Sequence, residues 1–80
     1  MRLDKYLKVS RIIKRRTVAN EACDAGRVEV NGKVARASYD VKTGDKITVL
    51  LGQSSRTFEV LEVLEHALKD DAAKMYKEIK

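Results

Sequence analysis

The spacing of apolar residues changes along the chain, and each spacing predicts a different kind of element. Near the N-terminus, Leu3, Tyr6 and Leu7 fall within about a quadrant of a helical wheel. The basic residues Arg2 and Lys5 fall outside that quadrant. This pattern predicts a short amphipathic helix whose basic face points outward, with Tyr6 in the core.

A second helix is predicted from apolar residues at positions i, i+1, i+4 and i+5, namely Val18, Ala19, Ala22 and Cys23. Gly26 suits the left-handed residue that follows a helix C-terminus. The predicted start lies between Arg15 and Thr17, so the basic triplet Lys14-Arg15-Arg16 stands at a helix N-terminus. Free backbone N–H groups and the helix dipole favour an anion there.

The middle of the chain follows a period of two, which predicts strands. Val28 and Val30 alternate with charged residues, and Asn31-Gly32 is a preferred pair for a type I′ turn. The chain from Lys33 onward would return as the partner strand. Two further strands are predicted after the Gly44-Asp45 turn: residues 46–51, with Ile47, Val49 and Leu51 on one face, and residues 56–63, through Phe58 and Val60.

The last segment returns to helical spacing. Ala72, Met75, Tyr76 and Ile79 stand at i, i+3, i+4 and i+7, and Asp70 or Asp71 could cap the start of a helix. This stripe is either the core face of the helix or a surface for a partner. The order of elements predicts one α+β domain over residues 1–80, with the arrangement α-α-β-β-β-β-α.

Composition limits the chemistry that the chain can perform. Eighty residues make one small domain with little room for a substrate cavity. The single cysteine, Cys23, is expected to be a small buried hydrophobe, and no zinc-type cluster or catalytic motif is present in the sequence. We therefore expect a protein that is not an enzyme and that binds no metal or other cofactor. The N-terminus lacks the apolar core of a signal peptide, and no apolar run could span a membrane, so we expect a cytoplasmic location.

Positive charge is concentrated at one end of the chain. Residues 1–16 contain seven basic side chains against one acidic, a net charge of +6. The other 64 residues contain ten basic against eleven acidic, a net charge of −1. A concentrated positive field attracts a polyanion. The candidate nucleic-acid-binding residues of this end are Arg2, Lys5, Lys8, Arg11, Lys14, Arg15 and Arg16, and Arg27 and Lys33 extend them onto the hairpin.

Asp4 is the one acid in this basic neighbourhood, and two roles for it remain open. It could pair with Lys8 one helical turn later, or it could orient an arginine that binds phosphate.

Four linked stretches resemble the RNA-binding domain named after the fourth small-subunit ribosomal protein, the S-four domain. They are "RLDKYL", an Arg and an Ala that open the second helix, "GRVEVNGKVA" and "VKTGDKITV". The resemblance covers residues 1–51 and implies an alpha-L fold with two N-terminal helices on a small, mainly antiparallel sheet. Residues 52–80 would add a strand and a C-terminal helix.

The resemblance also implies the residues that face RNA and the partners. The family's RNA-facing positions match Arg2, Lys5, Arg16, Arg27 and Lys33, with the acid Asp4 beside them. Arg15 stands where the family often has Ser or Thr, which weakens the expected cap of the second helix.

Short members of the family bind the large ribosomal subunit that carries a stranded peptidyl-tRNA. The resemblance thus implies contacts with rRNA and tRNA by a monomeric protein in ribosome-associated quality control. It further implies support of C-terminal alanine tailing, with the quality-control H protein as a candidate partner. The alternatives are a protein-interaction module that docks through the C-terminal helix and a general binder of structured RNA, tRNA or duplex nucleic acid.

Overall fold

The computed structural model describes residues 1–79 and, within them, every side chain except that of Leu51. Across these residues the chain forms three helices and five strands. In chain order they are α1 (Leu3–Val9), α2 (Arg16–Asp24), β1 (Val28–Val30), β2 (Lys33–Val34), β3 (Lys46–Leu51), β4 (Ser54–Val60), α3 (Lys69–Ala73) and β5 (Tyr76–Ile79). The predicted α+β class is confirmed.

The strands form one sheet in the order β2-β1-β3-β4-β5, and each neighbouring pair is antiparallel. Ile47 on β3 stands opposite both Val30 on β1 and Phe58 on β4, so buried side chains line up across three strands. The predicted inward positions Ile47 and Val49 are buried, whereas the side chain of Leu51 lies outside the described residues.

The Asn31-Gly32 turn has the predicted geometry and a further role. Both residues have positive φ, 54° and 85°, as a type I′ turn requires. The Asn31 side chain also donates to Asp45 Oδ1 (3.0 Å) and accepts from the Lys46 N–H (3.0 Å). The turn of the hairpin is therefore fastened to the start of β3.

The N-terminus of α1 is closed by the segment that follows β2. The N–H groups of Leu3 and Asp4 donate to the carbonyls of Tyr39 (2.8 Å) and Ala37 (3.3 Å), and the Lys5 N–H donates to Asp4 Oδ1 (2.8 Å). These bonds satisfy donors that a helix start leaves without intrahelical partners. The helix therefore begins at a defined place although Arg2, its N-cap, provides no side-chain cap.

The core lies between the two N-terminal helices and the sheet and is one connected cluster. Tyr6 and Cys23 belong to it, as the sequence predicted. The Tyr6 hydroxyl donates to the Met75 carbonyl (2.7 Å), which ties α1 to the chain just before β5. The fully buried apolar side chains that fill this cluster include Leu3, Leu7, Val28, Ile47, Val60 and Met75.

The predicted C-terminal helix is present but shorter than expected. It ends at Ala73, and its N-cap is Leu68, so the prediction that Asp70 or Asp71 caps it is wrong. Met75 lies between α3 and β5, and Tyr76 and Ile79 lie in β5, where they pair with Val60 and Thr57 of β4. The helical stripe is therefore wrong for these three residues.

The physical reason for this difference is the edge of the sheet. β4 would otherwise expose a row of unpaired backbone groups, and β5 covers them. The Tyr76 ring packs edge-on against Phe58, with centroids 5.2 Å apart. The short segment Tyr76–Ile79 fits both a period of two and one of 3.6, and the open edge of β4 decides between them.

No helix among residues 1–79 is long and apolar enough to cross a lipid bilayer.

We expect Tyr6→Phe to lower the free energy of unfolding by about 0.5–1.5 kcal/mol, because it deletes one buried hydrogen bond. The loss stays small because the Met75 carbonyl also accepts from the backbone N–H groups of Leu61 (2.8 Å) and Glu62 (3.2 Å). Urea denaturation measures the difference. Tyr76→Phe is the matched control, since its hydroxyl has no hydrogen-bond partner within residues 1–79. Equal losses of unfolding free energy in both variants would contradict a stabilising role for the Tyr6 hydrogen bond.

Candidate nucleic-acid interface

A buried carboxylate, that of Asp4, lies at the junction of α1 and α2. Only 2% of the residue is exposed. The carboxylate accepts hydrogen bonds from Arg2 Nε (3.2 Å), Arg16 Nε (3.4 Å), Asn20 Nδ2 (3.1 Å) and the Lys5 backbone N–H (2.8 Å). The cluster formed by Asp4, Arg2, Arg16 and Asn20 is called the Asp4 cluster below.

Asp4 remains ionised because its donors outweigh the cost of its burial. Burial is the largest single influence and raises the pKa of the Asp4 carboxyl. The hydrogen bonds from Asn20, Arg2, the Lys5 N–H and Arg16 act in the opposite direction and hold the pKa below its ordinary value. Of the two roles left open by the sequence, the structure shows that Asp4 orients arginines, not that it pairs with Lys8.

The two arginines are anchored at one end and accessible at the other. The side chains of Arg2 and Arg16 are 51% and 50% exposed. Within residues 1–79, Arg16 meets Asp4 through Nε alone, which leaves both of its terminal nitrogens without a protein partner. A guanidinium held in this way can donate to a phosphate with little loss of side-chain freedom.

The N-terminus of α2 adds backbone donors beside Arg16. Its N-cap, Arg15, provides no side-chain cap, as the sequence predicted. Over the described part of the chain, the N–H groups of Arg16, Thr17 and Val18 have no backbone partner, in contrast to the closed N-terminus of α1. Arg15 and Lys14 are exposed next to these groups. Open N–H groups at a helix N-terminus favour an anion.

Lys8, Arg11 and Lys14 line a separate groove at the other end of α1. Its opposite wall is the chain before α3, through Glu65, His66 and Ala67. The Lys5 ammonium lies against the Glu65 carboxylate in an ion pair. The structure thus gives Lys5 a protein partner, and its contact with RNA stays a prediction.

Arg27 and Lys33 are exposed on the β1–β2 hairpin and do not join the Asp4 cluster. The hairpin is connected to α2 by the backbone of Arg27, whose N–H donates to the Ala22 carbonyl (2.9 Å). The structure therefore groups the predicted residues other than Lys5 and Arg15 in three places: the Asp4 cluster, the groove beside α1 and the hairpin.

Asn20 is a residue of the site that the sequence reasoning missed. It lies one helical turn after Arg16, so both side chains reach the same carboxylate from α2. The i, i+4 spacing of Arg16 and Asn20, which places both side chains on one face of α2, was the available signal.

Two features bear on metal binding and on the reactivity of Cys23. No group of three His, Cys, Asp or Glu side chains within residues 1–79 could hold a metal ion. Burial raises the pKa of the Cys23 thiol to about 11, with the charges of Asp4 and Asp24 adding to the effect, so it is protonated near neutral pH.

Two helices on an antiparallel sheet define the class, a small S4-type α+β domain, and the comparisons agree. The family model of the S4 domain matches residues 1–47, so the chain belongs to the S4-domain family. It is 54% identical over 80 residues to the RQC P-site tRNA stabilizing factor of Bacillus subtilis, covering 100% of this chain and 93% of that protein. It is 53% identical over 77 residues to the protein of the same name in Streptococcus pneumoniae, covering 96% of this chain and 88% of that protein.

A solved structure shows the same fold. The trimeric structure of Vibrio cholerae heat shock protein 15 superposes with a TM-score of 0.89 at 30% sequence identity. The match covers 99% of this chain and 81% of that one. The predicted alpha-L architecture of the S-four family is confirmed.

We expect Asp4→Asn to lower the free energy of unfolding at pH 7 by about 1.5–3 kcal/mol, because hydrogen bonds from arginine to an ionised carboxylate are lost. The pKa of Asp4 is lowered on folding, so its stabilisation is complete above the ordinary value of 3.8 and is lost as the pH falls through the lowered one. The difference in free energy of unfolding between wild type and variant should therefore be constant above about pH 5 and should disappear in stronger acid. Denaturation at a series of pH values measures it.

Asp24→Asn is the matched control, since Asp24 is exposed at the end of the same α2. We expect little change in stability from it. A gap for Asp4→Asn that persists unchanged in strong acid would show that charge is not the source of the stabilisation.

Proposed function

We propose that the protein is a non-enzymatic factor of ribosome-associated quality control. It binds the large ribosomal subunit that carries a stalled peptidyl-tRNA and contacts both rRNA and tRNA. The observation that carries the proposal is the Asp4 cluster, in which Arg2 and Arg16 are held half-exposed on one buried carboxylate. The shared S4 domain and the name of the relatives, RQC P-site tRNA stabilizing factor, support the particular role.

The proposed mechanism is clamping. Folded RNA is recognised mostly by its shape, its phosphates and its 2′-hydroxyl groups, because side chains cannot read the deep major groove. Arg2, Arg16 and the open N-terminus of α2 would bind one stretch of backbone, and the basic residues of the hairpin would bind an adjoining one. Holding the tRNA and the subunit together favours one position of the tRNA.

A stabilised tRNA would support C-terminal alanine tailing of the stalled chain, the reaction of the quality-control H protein. In this proposal the protein acts as a single copy and performs no chemistry itself. It would therefore act where ribosomes act, in the cytoplasm.

The alternative of docking through a C-terminal helix loses its basis. Ala72 and Met75 are buried, and Tyr76 packs against Phe58 in the sheet. The stripe that suggested a docking face is thus part of the core and of β5. General binding of duplex nucleic acid uses the same basic surface and is distinguished by competition.

We expect wild type to sediment in a sucrose gradient with free large subunits that bear peptidyl-tRNA, and Arg16→Ala to stay at the top. RNA and peptidyl-tRNA are assayed in each fraction. If about five phosphates are neutralised, the logarithm of the RNA-binding constant falls with the logarithm of the salt concentration at a slope of about −4. Arg16→Ala should make that slope shallower by about one unit.

Arg56→Ala is the matched control, because Arg56 is equally exposed but forms a two-point ion pair with Glu78 between β4 and β5. It should bind as wild type does. Equal competition by bulk duplex DNA would favour a general binder, and wild type at the top of the gradient would overturn the proposal.

A further inference from the structure

The groove beside α1 lies between the family domain and the chain that follows it. One wall is formed by Lys8, Arg11 and Lys14, all within residues 1–47, which match the S4 domain. The other wall is formed by Glu65, His66 and Ala67, outside that match. The groove has a volume of about 540 Å³, so it is large enough for a ligand to enter.

The lining of the groove is charged, whereas small-molecule pockets are mostly apolar. Lys8, Arg11 and Lys14 are exposed cations, and His66 adds a ring that can donate. The single carboxylate of the lining, Glu65, is already paired with Lys5. The net positive charge of the groove selects an anion.

Arg11 stands in a backbone conformation that suits glycine. Its φ is +65°, in the left-handed region, and it directly follows Ser10, the C-cap of α1. Its N–H donates to the Lys8 carbonyl (3.0 Å), as in the bonds that close a helix C-terminus. Asn31, the other non-glycine residue with positive φ among residues 1–79, is of a type that tolerates this region, whereas arginine is not.

A strained residue that a glycine would relieve indicates that its side chain has a use. Arg11 makes no hydrogen bond or ion pair through its side chain within the described residues, so protein contacts do not explain it. Arg11 lines the groove instead.

We propose that this groove binds a further stretch of RNA phosphodiester backbone, in addition to those proposed for the Asp4 cluster and the hairpin, with Arg11 as its central contact. This inference rests on the proposed function and deepens it, because an additional backbone site at the C-terminal end of α1 lets one small domain hold more than one RNA segment. An acidic polypeptide is the competing ligand. RNA is favoured because Lys14 of the groove lies two residues before Arg16 of the Asp4 cluster, so the groove adjoins the surface that the first site begins.

Arg11→Gly separates binding from stability. The variant removes the guanidinium and relieves the left-handed strain, so its melting temperature should equal or exceed that of wild type. Its affinity for a fluorescent RNA hairpin should be roughly three- to tenfold lower. The slope of log affinity against log salt concentration should be shallower by about one unit. Arg11→Lys keeps the charge and the strain and should bind nearly as well as wild type.

Titration with the RNA hairpin tests the groove, and sedimentation with large subunits tests the proposed function. The two proposals can therefore fail independently. Loss of affinity for the RNA hairpin in Arg11→Gly, but not in Arg11→Lys or Arg56→Ala, supports RNA binding by the groove. Unchanged affinity in Arg11→Gly overturns it even if wild type binds subunits. Stronger competition by polyglutamate than by unlabelled hairpin overturns it in favour of an acidic polypeptide.

Discussion

The arrangement of the basic end depends on one buried charge, the carboxylate of Asp4. A buried carboxylate is costly unless it is fully paired. Here it accepts hydrogen bonds from side chains at the start of α1 and on α2 and from one backbone N–H group. The same carboxylate satisfies the Lys5 N–H at the start of α1 and fixes the arginines at the start of both helices. Helix position and arginine position are therefore set by a single group.

This constraint explains how a small domain can hold two exposed arginines in defined positions. Free arginine and lysine side chains lose much conformational freedom when they bind. Arg2 and Arg16 have given up part of that freedom on folding, because Nε of each is already bonded. Their charges would repel each other without Asp4, and its ionised state is maintained by the hydrogen bonds that it accepts.

The chain that follows the family domain contributes more than an edge strand of the sheet. β5 covers the edge of β4, and the Met75 carbonyl that precedes it accepts from Tyr6 on α1. The Lys5–Glu65 ion pair then brings the segment before α3 against the outer side of the same helix. The groove near the end of α1 thus depends on how this later segment packs, whereas the Asp4 cluster at the start of α1 does not.

The sequence by itself determined the elements whose pattern is local. The valines of β1, the Asn31-Gly32 turn, the apolar face of α1, the buried Ala19 and Cys23 of α2 and the concentration of charge in residues 1–16 all follow from spacing and composition, whereas Val18 of the predicted α2 face is exposed. These features depend on side-chain period, on positive φ and on net charge, which neighbouring residues decide among themselves. The family resemblance then supplied the architecture.

Only the tertiary structure decided which groups meet across the chain. Asp4 and Lys8 are a helical turn apart, yet Arg16 and Asn20 reach the carboxylate from another helix and bind it instead. Lys5 is paired with Glu65, and Tyr76–Ile79 joins the sheet because β4 offers an open edge. Local spacing could not separate strand from helix in so short a segment, and it carries no information on partners sixty residues away. Such pairings are settled by the burial of charge and by the satisfaction of backbone groups in the folded chain.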